Sequence, residues 1–390
     1  MMDLMHPVTD RQTGMAGQPA PRRGTVLVFC PGNAQRGPSD HESATHGEVA
    51  KRLAAIKGYD FAGVFDATRS YAGPLYFVPS DTLVTLDAAH RLGIHGEQDL
   101  FGGVVPFSFM ATKTITHPLA AADSRAPHGW SFDLARRVRD VVLPGFSAFS
   151  MQDAREAGAR LLEHGAVRIK KASGTGGLGQ WVAADAGELE ARLRSLDAQE
   201  LARDGLVLER NLSEVATLSV GQVRVNNLLA SYCGVQRLTT NNTGQEVYGG
   251  SDLTVVRGDF APLLELELDH GVRTAIAQAR QYHAAVLLSF PGMFASRCNY
   301  DVAQGRDAEG RWHSGVLEQS WRIGGASGAE VAALDAFQAD PALEVVRAST
   351  IEIYGSDPAL PDDAEIYFRG IDASVGHIAK YARLEPYADA

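Results

Sequence analysis

The chain has 390 residues, of which 45% are hydrophobic, and its formal net charge is -11 at pH 7. This length and apolar content allow more than one buried core, and the length favours two or three subdomains. The acidic balance argues against nucleic acid as a partner, because surfaces that bind nucleic acid collect Lys and Arg against the phosphates.

Residues 1–23 are polar and rich in Pro and Gly, and they predict a disordered tail without the apolar segment of a secretory signal. No run approaches the roughly 20 apolar residues that span a bilayer, so we expect a cytoplasmic protein with no membrane partner. The three cysteines, Cys30, Cys233 and Cys298, lack the spacing of a zinc site or a disulfide framework. We therefore expect buried free thiols.

Residues 24–120 alternate between strand-like and helix-like runs. The apolar stretches at 25–30, 61–65, 74–79 and 102–109 predict strands, and those at 41–58 and 82–94 have helical spacing. Strands separated by helices favour a parallel sheet. We predict a small α/β domain here, followed by a linker at 120–130.

A glycine-rich stretch, VRIKKASGTGGLGQWV, occupies residues 167–182. Gly174, Gly176 and Gly179 fit the spacing G-x-G-x-x-G, which is a weak signal on its own. A dinucleotide-binding turn needs a helix directly after the glycines, but QWVAA predicts a strand there, with the next helix capped by Asp185. A P-loop is excluded because Lys-Ser or Lys-Thr does not follow the last glycine.

The remaining interpretation is a hairpin whose backbone N–H groups cover phosphates. Lys170 or Lys171, on the strand that enters the hairpin, would supply the point charge. Neighbours on a strand face opposite ways, so only one of the two can point at the phosphates. A structural hairpin with incidental glycines is the alternative.

Residues 205–290 predict antiparallel strands followed by a helix. The first strand ends at Glu209, which could accept a hydrogen bond from an adenine amino group or could simply be solvated. Turn residues at 241–244 and 249–251 separate the later strands. Helical spacing of apolar residues predicts a helix over 270–290.

Residues 294–330 contain a predicted antiparallel hairpin with a polar, glycine-bearing turn at 303–312. Side chains alternate along a strand, so alternate residues of each strand share a face. If the two faces coincide, carboxylates for magnesium and arginines for phosphoryl charge meet in one place. The alternative is a solvent-facing ladder of ion pairs. The residues concerned are Arg297, Asn299 and Asp301 on the first strand and Glu318, Ser320 and Arg322 on the second.

The order and content of these segments resemble the ATP-grasp superfamily over about 130–330, with 24–120 resembling the domain that usually precedes it. IKKASGTGGLG resembles the lysine and flexible loop of the family, LERNL its adenine hinge, and LEQSWRIGGAS its metal strand. The whole chain also resembles an uncharacterised bacterial ATP-grasp-like family of unknown function. The resemblance implies an α/β protein, α+β in the ATP-grasp part, with the ATP-grasp fold.

The resemblance also implies an ATP site. Lys170 or Lys171 and the glycine loop would hold the phosphates, Glu209 would contact the adenine amino group, the backbone near Leu212 the ring, and Glu214 the ribose. The loop residues implied are Ser173, Gly174, Gly176, Gly177 and Gly179.

For the metal strand, the resemblance implies that Glu318 bridges Mg²⁺ ions, with Asp301 or Asn299 as the ligand from the preceding strand. Ser320 stands where the ATP-grasp superfamily usually has Asn, so it stays open whether one or two metal ions bind. Mn²⁺ would serve the same oxygen ligands. Arg322, with Arg297, would stabilise charge on the transferred phosphoryl group.

The function implied is an ATP- and Mg²⁺-dependent ligase that joins a small-molecule carboxylate, activated as an acyl phosphate, to an amine or other nucleophile. Two alternatives stay open: an ATP-grasp kinase, and a non-catalytic nucleotide-binding protein that has lost a metal ligand. A homodimer is also left open. Residues 324–328, GGASG, would hold a substrate carboxylate or simply cap a helix. The predicted units are 1–23, 24–120, 130–212, 213–330 and a C-terminal extension, 331–390, that completes the sheet.

Overall fold

The computed structural model of the chain describes residues 24–31, 39–172, 174, 179–356 and 358–387. Its first unit is a three-stranded sheet in which the central strand pairs in parallel with both neighbours, in the order β2-β1-β3. The predicted parallel sheet is confirmed. The elements of this unit are β1 (Thr25–Phe29), α1 (Asp40–Lys57), β2 (Asp60–Val64), β3 (Leu75–Pro79), β4 (Leu83–Val84), α2 (Leu86–Arg91) and β5 (Gly103–Val105).

Two short 3-10 turns, Ser108–Ala111 and Lys113–Ile115, lead from β5 into the second unit. This unit is a four-stranded antiparallel sheet in the order β6-β9-β7-β8. Lys170 pairs with Gln180 across β7 and β8, which confirms the predicted hairpin. Its elements are α3 (Phe132–Val138), β6 (Gly145–Ala148), α4 (Met151–Leu162), β7 (Val167–Lys171), β8 (Gln180–Ala183), α5 (Ala186–Arg194), α6 (Ala198–Asp204) and β9 (Leu206–Arg210).

The third unit is an eight-stranded sheet in the order β15-β14-β10-β11-β12-β16-β18-β17. The C-terminal strands β16, β17 and β18 form its far side. The elements are β10 (Ser213–Val225), β11 (Leu228–Thr240), β12 (Glu246–Arg257), α7 (Phe260–Glu265), α8 (His270–Ser289), β13 (Phe294–Ala295), β14 (Arg297–Arg306), β15 (Trp312–Ser320), α9 (Ser327–Ala339), β16 (Val345–Tyr354), β17 (Glu365–Asp372) and β18 (Gly376–Pro386).

The turn predicted at 249–251 is wrong, because β12 runs through it without interruption. Gly250 has a φ of +135°, and a Cβ placed on it would lie 2.0 Å from the carbonyl oxygen of Thr350 on β16. The glycine is needed because the neighbouring strand approaches closely. Composition alone gives the same signal for a turn and for such a close approach.

Contacts between the units fix where the faces of the large sheet point. On β14, Cys298, Tyr300 and Val302 are buried in the core that α8 covers. Alternate residues face the other way, and Ala303 there packs against Leu143 and Leu212, which flank strands of the four-stranded sheet. The face of β14 that carries Asn299 and Asp301 therefore looks toward the second unit.

The first unit is anchored to the large sheet at two places. Strand β13 pairs antiparallel with β5, and helix α1 packs against α9 and β17. The backbone N–H of His41, in the first turn of α1, donates to Asp372 Oδ2 at 3.0 Å. Among the described residues, none of the helices combines the length and the apolar content that crossing a membrane requires.

Candidate functional site

The hairpin formed by β14 and β15 brings the predicted metal ligands together. Asn299 lies directly opposite Ser320, and Asp301 lies directly opposite Glu318. Opposed residues of an antiparallel pair project on the same side of the sheet, with neighbouring Cβ atoms close together. The expected coincidence of the two faces is confirmed, and the face carries two carboxylates, an amide and a hydroxyl.

Asp301 sits in a partly buried, like-charged environment. Its Oδ1 accepts a hydrogen bond from Asn299 Nδ2 at 2.8 Å, and Ser219 Oγ on β10 lies at 3.4 Å. Burial, and then the neighbouring carboxylate of Glu318, raise the pKa of Asp301 to about 6. Two carboxylates at such close quarters favour the binding of a cation between them.

Lys113 is a residue of this site that the sequence analysis did not single out. Its Nζ donates to Glu318 Oε2, and its side chain is only 6% exposed. Gln319 Nε2 donates to the carbonyl oxygens of Met110 (2.7 Å) and Thr112 (2.9 Å), which fixes the turn carrying Lys113 against β15. The available signal was a lysine inside the otherwise uncharged stretch FSFMATKTIT, since a buried lysine requires a counterion.

A second buried charged group lies on the four-stranded sheet. Lys170 Nζ is 2.5 Å from Glu209 Oε1, and His117 Nε2 is 3.3 Å from Glu209 Oε2. Although burial acts to raise it, the pKa of Glu209 is lowered to about 2 by Lys170 and by His117. Both oxygens of Glu209 thus have partners. The side chain that we expected on an adenine amino group serves here as the counterion of Lys170.

Lys171 faces the opposite side of the same strand. Its Nζ is 2.8 Å from Glu200 Oε2 on α6, and about one third of its side chain is exposed. The two lysines therefore point to opposite faces of β7, as their adjacency requires. Lys170 is the one that shares a face with Glu209.

The structure describes only part of the glycine-rich loop between β7 and β8. Ser173, Gly176 and Gly177 lie outside the described residues. The N–H of Gly174 donates to the carbonyl oxygen of Lys171 at 3.2 Å, and Gly179 has a left-handed φ of +71°, so these two residues close the base of the hairpin.

At the hinge, Leu212 is buried against Leu143 and Ala303. Glu214 is 77% exposed and lies 3.5 Å from Arg306. The roles expected for these hinge residues toward adenine and ribose stay predictions.

Arg297 has its guanidinium enclosed in the protein. It is 1% exposed, and its Nη2 donates to Glu330 Oε1 at 2.8 Å. Its Nη1 donates to Ser320 Oγ at 3.0 Å and to the carbonyl oxygen of Arg322 at 2.5 Å. Glu330 lies on helix α9, so Arg297 joins α9 to β14 inside the protein. The role expected for Arg297 toward the phosphoryl group stays a prediction.

The same network extends to the face that carries Asp301 and Glu318. Tyr232 OH is 2.5 Å from Glu330 Oε1 and 3.0 Å from Asn299 Oδ1. Asn299 in turn donates to Asp301. A chain of buried polar contacts therefore connects α9 to the carboxylate pair.

Arg322 lies just beyond the end of β15 and is one third exposed. Its Nη1 donates to the carbonyl oxygen of Ile323 at 2.9 Å, and its Nε is 3.7 Å from Asp81 Oδ1 in the segment after β3. Arg322 is thus an accessible cation between the hairpin and the first unit. Its position suits the predicted role of stabilising phosphoryl charge, and that role stays a prediction.

The chain belongs to the family described as "Protein of unknown function (DUF3182)", whose model matches residues 30–382. No curated protein matches it in sequence at a significant level.

Solved structures share its fold at low identity. N5-carboxyaminoimidazole ribonucleotide synthetase in complex with ADP is 11% identical with a TM-score of 0.50, and the match covers 93% of each chain. N5-carboxyaminoimidazole synthetase from Staphylococcus aureus is 13% identical with a TM-score of 0.48, over 93% of each chain. Biotin carboxylase from Campylobacter jejuni is 10% identical with a TM-score of 0.48, over 93% of this chain and 87% of that one. The chain has the ATP-grasp fold that its sequence predicted.

Proposed function

We propose that this protein is an ATP- and Mg²⁺-dependent ligase that activates a carboxylate as an acyl phosphate for attack by an amine or another nucleophile. The observation that carries the proposal is that Asp301 lies opposite Glu318 in an ATP-grasp fold and that Lys113 forms an ion pair with Glu318. This arrangement brings acidic and basic groups side by side at the face of β14 that looks toward the second unit.

The donor set fits a hard divalent cation. Asp301 and Glu318 supply carboxylates, and Asn299 and Ser320 supply neutral oxygen atoms from the same face. Magnesium is usually held by one or two carboxylates and completes its shell with water and substrate phosphates. The ammonium of Lys113 against Glu318 acts as a stand-in for such a cation. Within the described residues, no group of three or more His, Cys, Asp and Glu side chains is placed to hold a metal.

The ion would neutralise charge on the phosphates, and basic residues of the chain would supply the remaining positive charge. Lys113, at the carboxylate pair, and Arg322, at the end of β15, would stabilise the charge of the transferred phosphoryl group. Lys170 and the glycine hairpin would hold the remaining phosphates. Preorganised charges of this kind stabilise the transition state without reorganisation during the reaction.

The chemistry proceeds in two displacements. An oxygen of the substrate carboxylate attacks the γ-phosphorus, the bond to the bridging oxygen breaks, and ADP leaves with the bonding electrons. The nucleophile then attacks the acyl carbon, and phosphate leaves from the tetrahedral intermediate. With an amine, one proton is released to solvent as the amide forms. The N–H groups of residues 324–328 would orient the carboxylate, or cap α9 if they have no ligand.

The experiment is to measure ADP release with a panel of carboxylic acids and amines, with and without Mg²⁺. Metal-dependent ADP release that requires an acid, and an amide product that requires an amine, would support the ligase. ADP release with a stable phosphorylated acid and no amine consumption would identify a kinase. ATP binding that ignores Mg²⁺, with no ADP release across the panel, would contradict both.

A non-catalytic nucleotide-binding protein is a second candidate, and one observation favours it. Ser320 stands where the ATP-grasp superfamily usually has Asn, and its hydroxyl accepts a hydrogen bond from Arg297 Nη1 at 3.0 Å. An oxygen already bonded to a guanidinium is a weak metal ligand. If this reduces the site to one metal, a calorimetric titration of the protein with Mg²⁺ would show a single binding event.

A further inference from the structure

Tyr232 reaches across a strand of the large sheet toward the face that carries Asp301. On β10, Gly221 pairs with Tyr232 of β11 on one side and with Asn299 of β14 on the other. Tyr232 OH lies 3.0 Å from Asn299 Oδ1. A Cβ placed on Gly221 would lie 2.3 Å from the tyrosine hydroxyl oxygen. The glycine therefore leaves the space in which the tyrosine contacts a residue two strands away.

A buried ion pair restrains the hydroxyl of Tyr232 from the side of α9. Glu330 Oε1 is 2.5 Å from Tyr232 OH, and Arg297 Nη2 donates to the same carboxylate oxygen at 2.8 Å. All three side chains are enclosed in the protein. Burial, and then the carboxylate of Glu330, raise the pKa of Tyr232 well above its ordinary value, so the hydroxyl keeps its proton. The hydroxyl is thus a donor whose place is fixed by α9.

The amide of Asn299 connects this hydroxyl to Asp301. Asn299 Oδ1 faces Tyr232 OH, and its Nδ2 donates to Asp301 Oδ1 at 2.8 Å. An amide turned by half a rotation would present its oxygen to the carboxylate in place of its nitrogen. Tyr232 opposes this turn, because its hydroxyl supplies the donor that Asn299 Oδ1 needs. The one hydroxyl proton is available to Asn299 because Arg297 already compensates the charge of Glu330.

We propose that Tyr232 is a positioning residue, which orients the carboxylate of Asp301 for a divalent cation through the amide of Asn299. The proposal rests on the ligase function and concerns its metal site. Tyr232 itself does not contact the ion. Partners that hold a metal ligand in place commonly change metal affinity about 10- to 100-fold when they are removed. A tyrosine that only filled the core would not change metal affinity in this way.

The test is titration of the full-length protein with Mn²⁺, followed by the electron paramagnetic resonance signal of the free ion, with and without the β,γ-imido analogue of ATP. Tyr232→Phe removes only the hydroxyl and should weaken Mn²⁺ binding about tenfold. Tyr282→Phe is the matched control, since its hydroxyl is equally buried, 3.2 Å from Thr116 Oγ1, in the core that α8 covers on the opposite face of the sheet. We expect wild-type affinity for Mn²⁺ in this control and similar decreases of the urea midpoint in both variants.

A double-mutant cycle tests whether Tyr232 acts through Asn299. The double variant Tyr232→Phe, Asn299→Ala should bind Mn²⁺ no more weakly than Asn299→Ala alone, because the tyrosine then has nothing left to orient. Additive losses, unchanged affinity in Tyr232→Phe, or an equal loss in Tyr282→Phe would each overturn the proposal and leave the ligase standing. A wild-type protein that binds no Mn²⁺ in either condition would overturn the metal site of the proposed function as well.

Discussion

Lys170 and Glu209 form an ion pair within the protein, with Nζ and Oε1 2.5 Å apart and side chains that are 5% and 2% exposed. Removing one partner of such a pair leaves the other charge buried and uncompensated, which costs about 3–5 kcal/mol. We therefore expect Lys170→Met to lower the free energy of unfolding by an amount of this order. Urea denaturation followed by circular dichroism measures it.

Lys171→Met is the matched control from the neighbouring position. Lys171 pairs with Glu200 at the surface, and exposed pairs contribute less than about 1 kcal/mol. The double variant Lys170→Met, Glu209→Leu should recover part of the lost stability, because it removes both charges. Equal losses in the two single variants would show that the structure assigns the wrong lysine to the buried face.

Glu318→Gln should lower the rate of ADP formation about 100-fold or more, because it removes a charge at the metal face and the partner of Lys113. Glu309→Gln on the turn of the same hairpin is the control, since Glu309 is exposed and lies away from this face. Coupled ADP detection at saturating ATP measures the rate. Unchanged turnover in Glu318→Gln would show that the metal site lies elsewhere.

Substitutions of the two arginines of the hairpin should have different effects, one on stability and the other on activity. Arg297→Gln leaves Glu330 buried without its charge partner, and we expect it to cost about 3–5 kcal/mol of folding free energy. Arg322→Gln should change stability by less than about 1 kcal/mol and lower ADP formation about 100-fold. Thermal unfolding and ADP release are measured on both variants. A stable but inactive Arg297→Gln protein would support the predicted catalytic role of Arg297.

Asp335 predicts a dependence of stability on pH. Burial raises its pKa to about 6, with Arg52 acting against the shift and Glu365 adding to it. Because the folded pKa lies above the unfolded value, the unfolded chain releases its proton first, and Asp335 costs stability as pH rises from about 4 to about 6. Asp335→Asn should therefore equal the wild type at pH 4 and be more stable at pH 7, by about 1 kcal/mol once solvent screening is allowed for.

Urea midpoints between pH 4 and pH 8 test this dependence. Asp140→Asn, at a highly exposed position, should keep the wild-type profile. A constant difference between Asp335→Asn and the wild type across the range would contradict the linkage.

The alternation of side chains was enough to predict that the candidate metal ligands share a face. It placed Asn299 and Asp301 on one side of their strand, Glu318 and Ser320 on one side of theirs, and the turn between the strands brought the two sides together. The same alternation could not show which positions a later helix covers. Arg297 follows the alternation, yet its guanidinium is buried in an ion pair with Glu330 on α9.

Partners distant in sequence explain the remaining differences. Lys113 meets Glu318 across 205 positions, and no local pattern encodes that contact. The choice between Lys170 and Lys171 depends on Glu209 and Glu200, which come from separate elements. Gly250 resembled a turn residue, and only the approach of β16 shows why glycine is needed there.

The bond from the His41 N–H to Asp372 also bears on the order in which the protein is made. The first turn of a helix has N–H groups without an acceptor inside the helix, and here one of them is satisfied by a side chain 331 positions later. A ribosome therefore delivers α1 long before it delivers Asp372. This N–H must therefore stay solvated until the segment that carries Asp372 has been translated, so the start of α1 is completed only after β17 has formed.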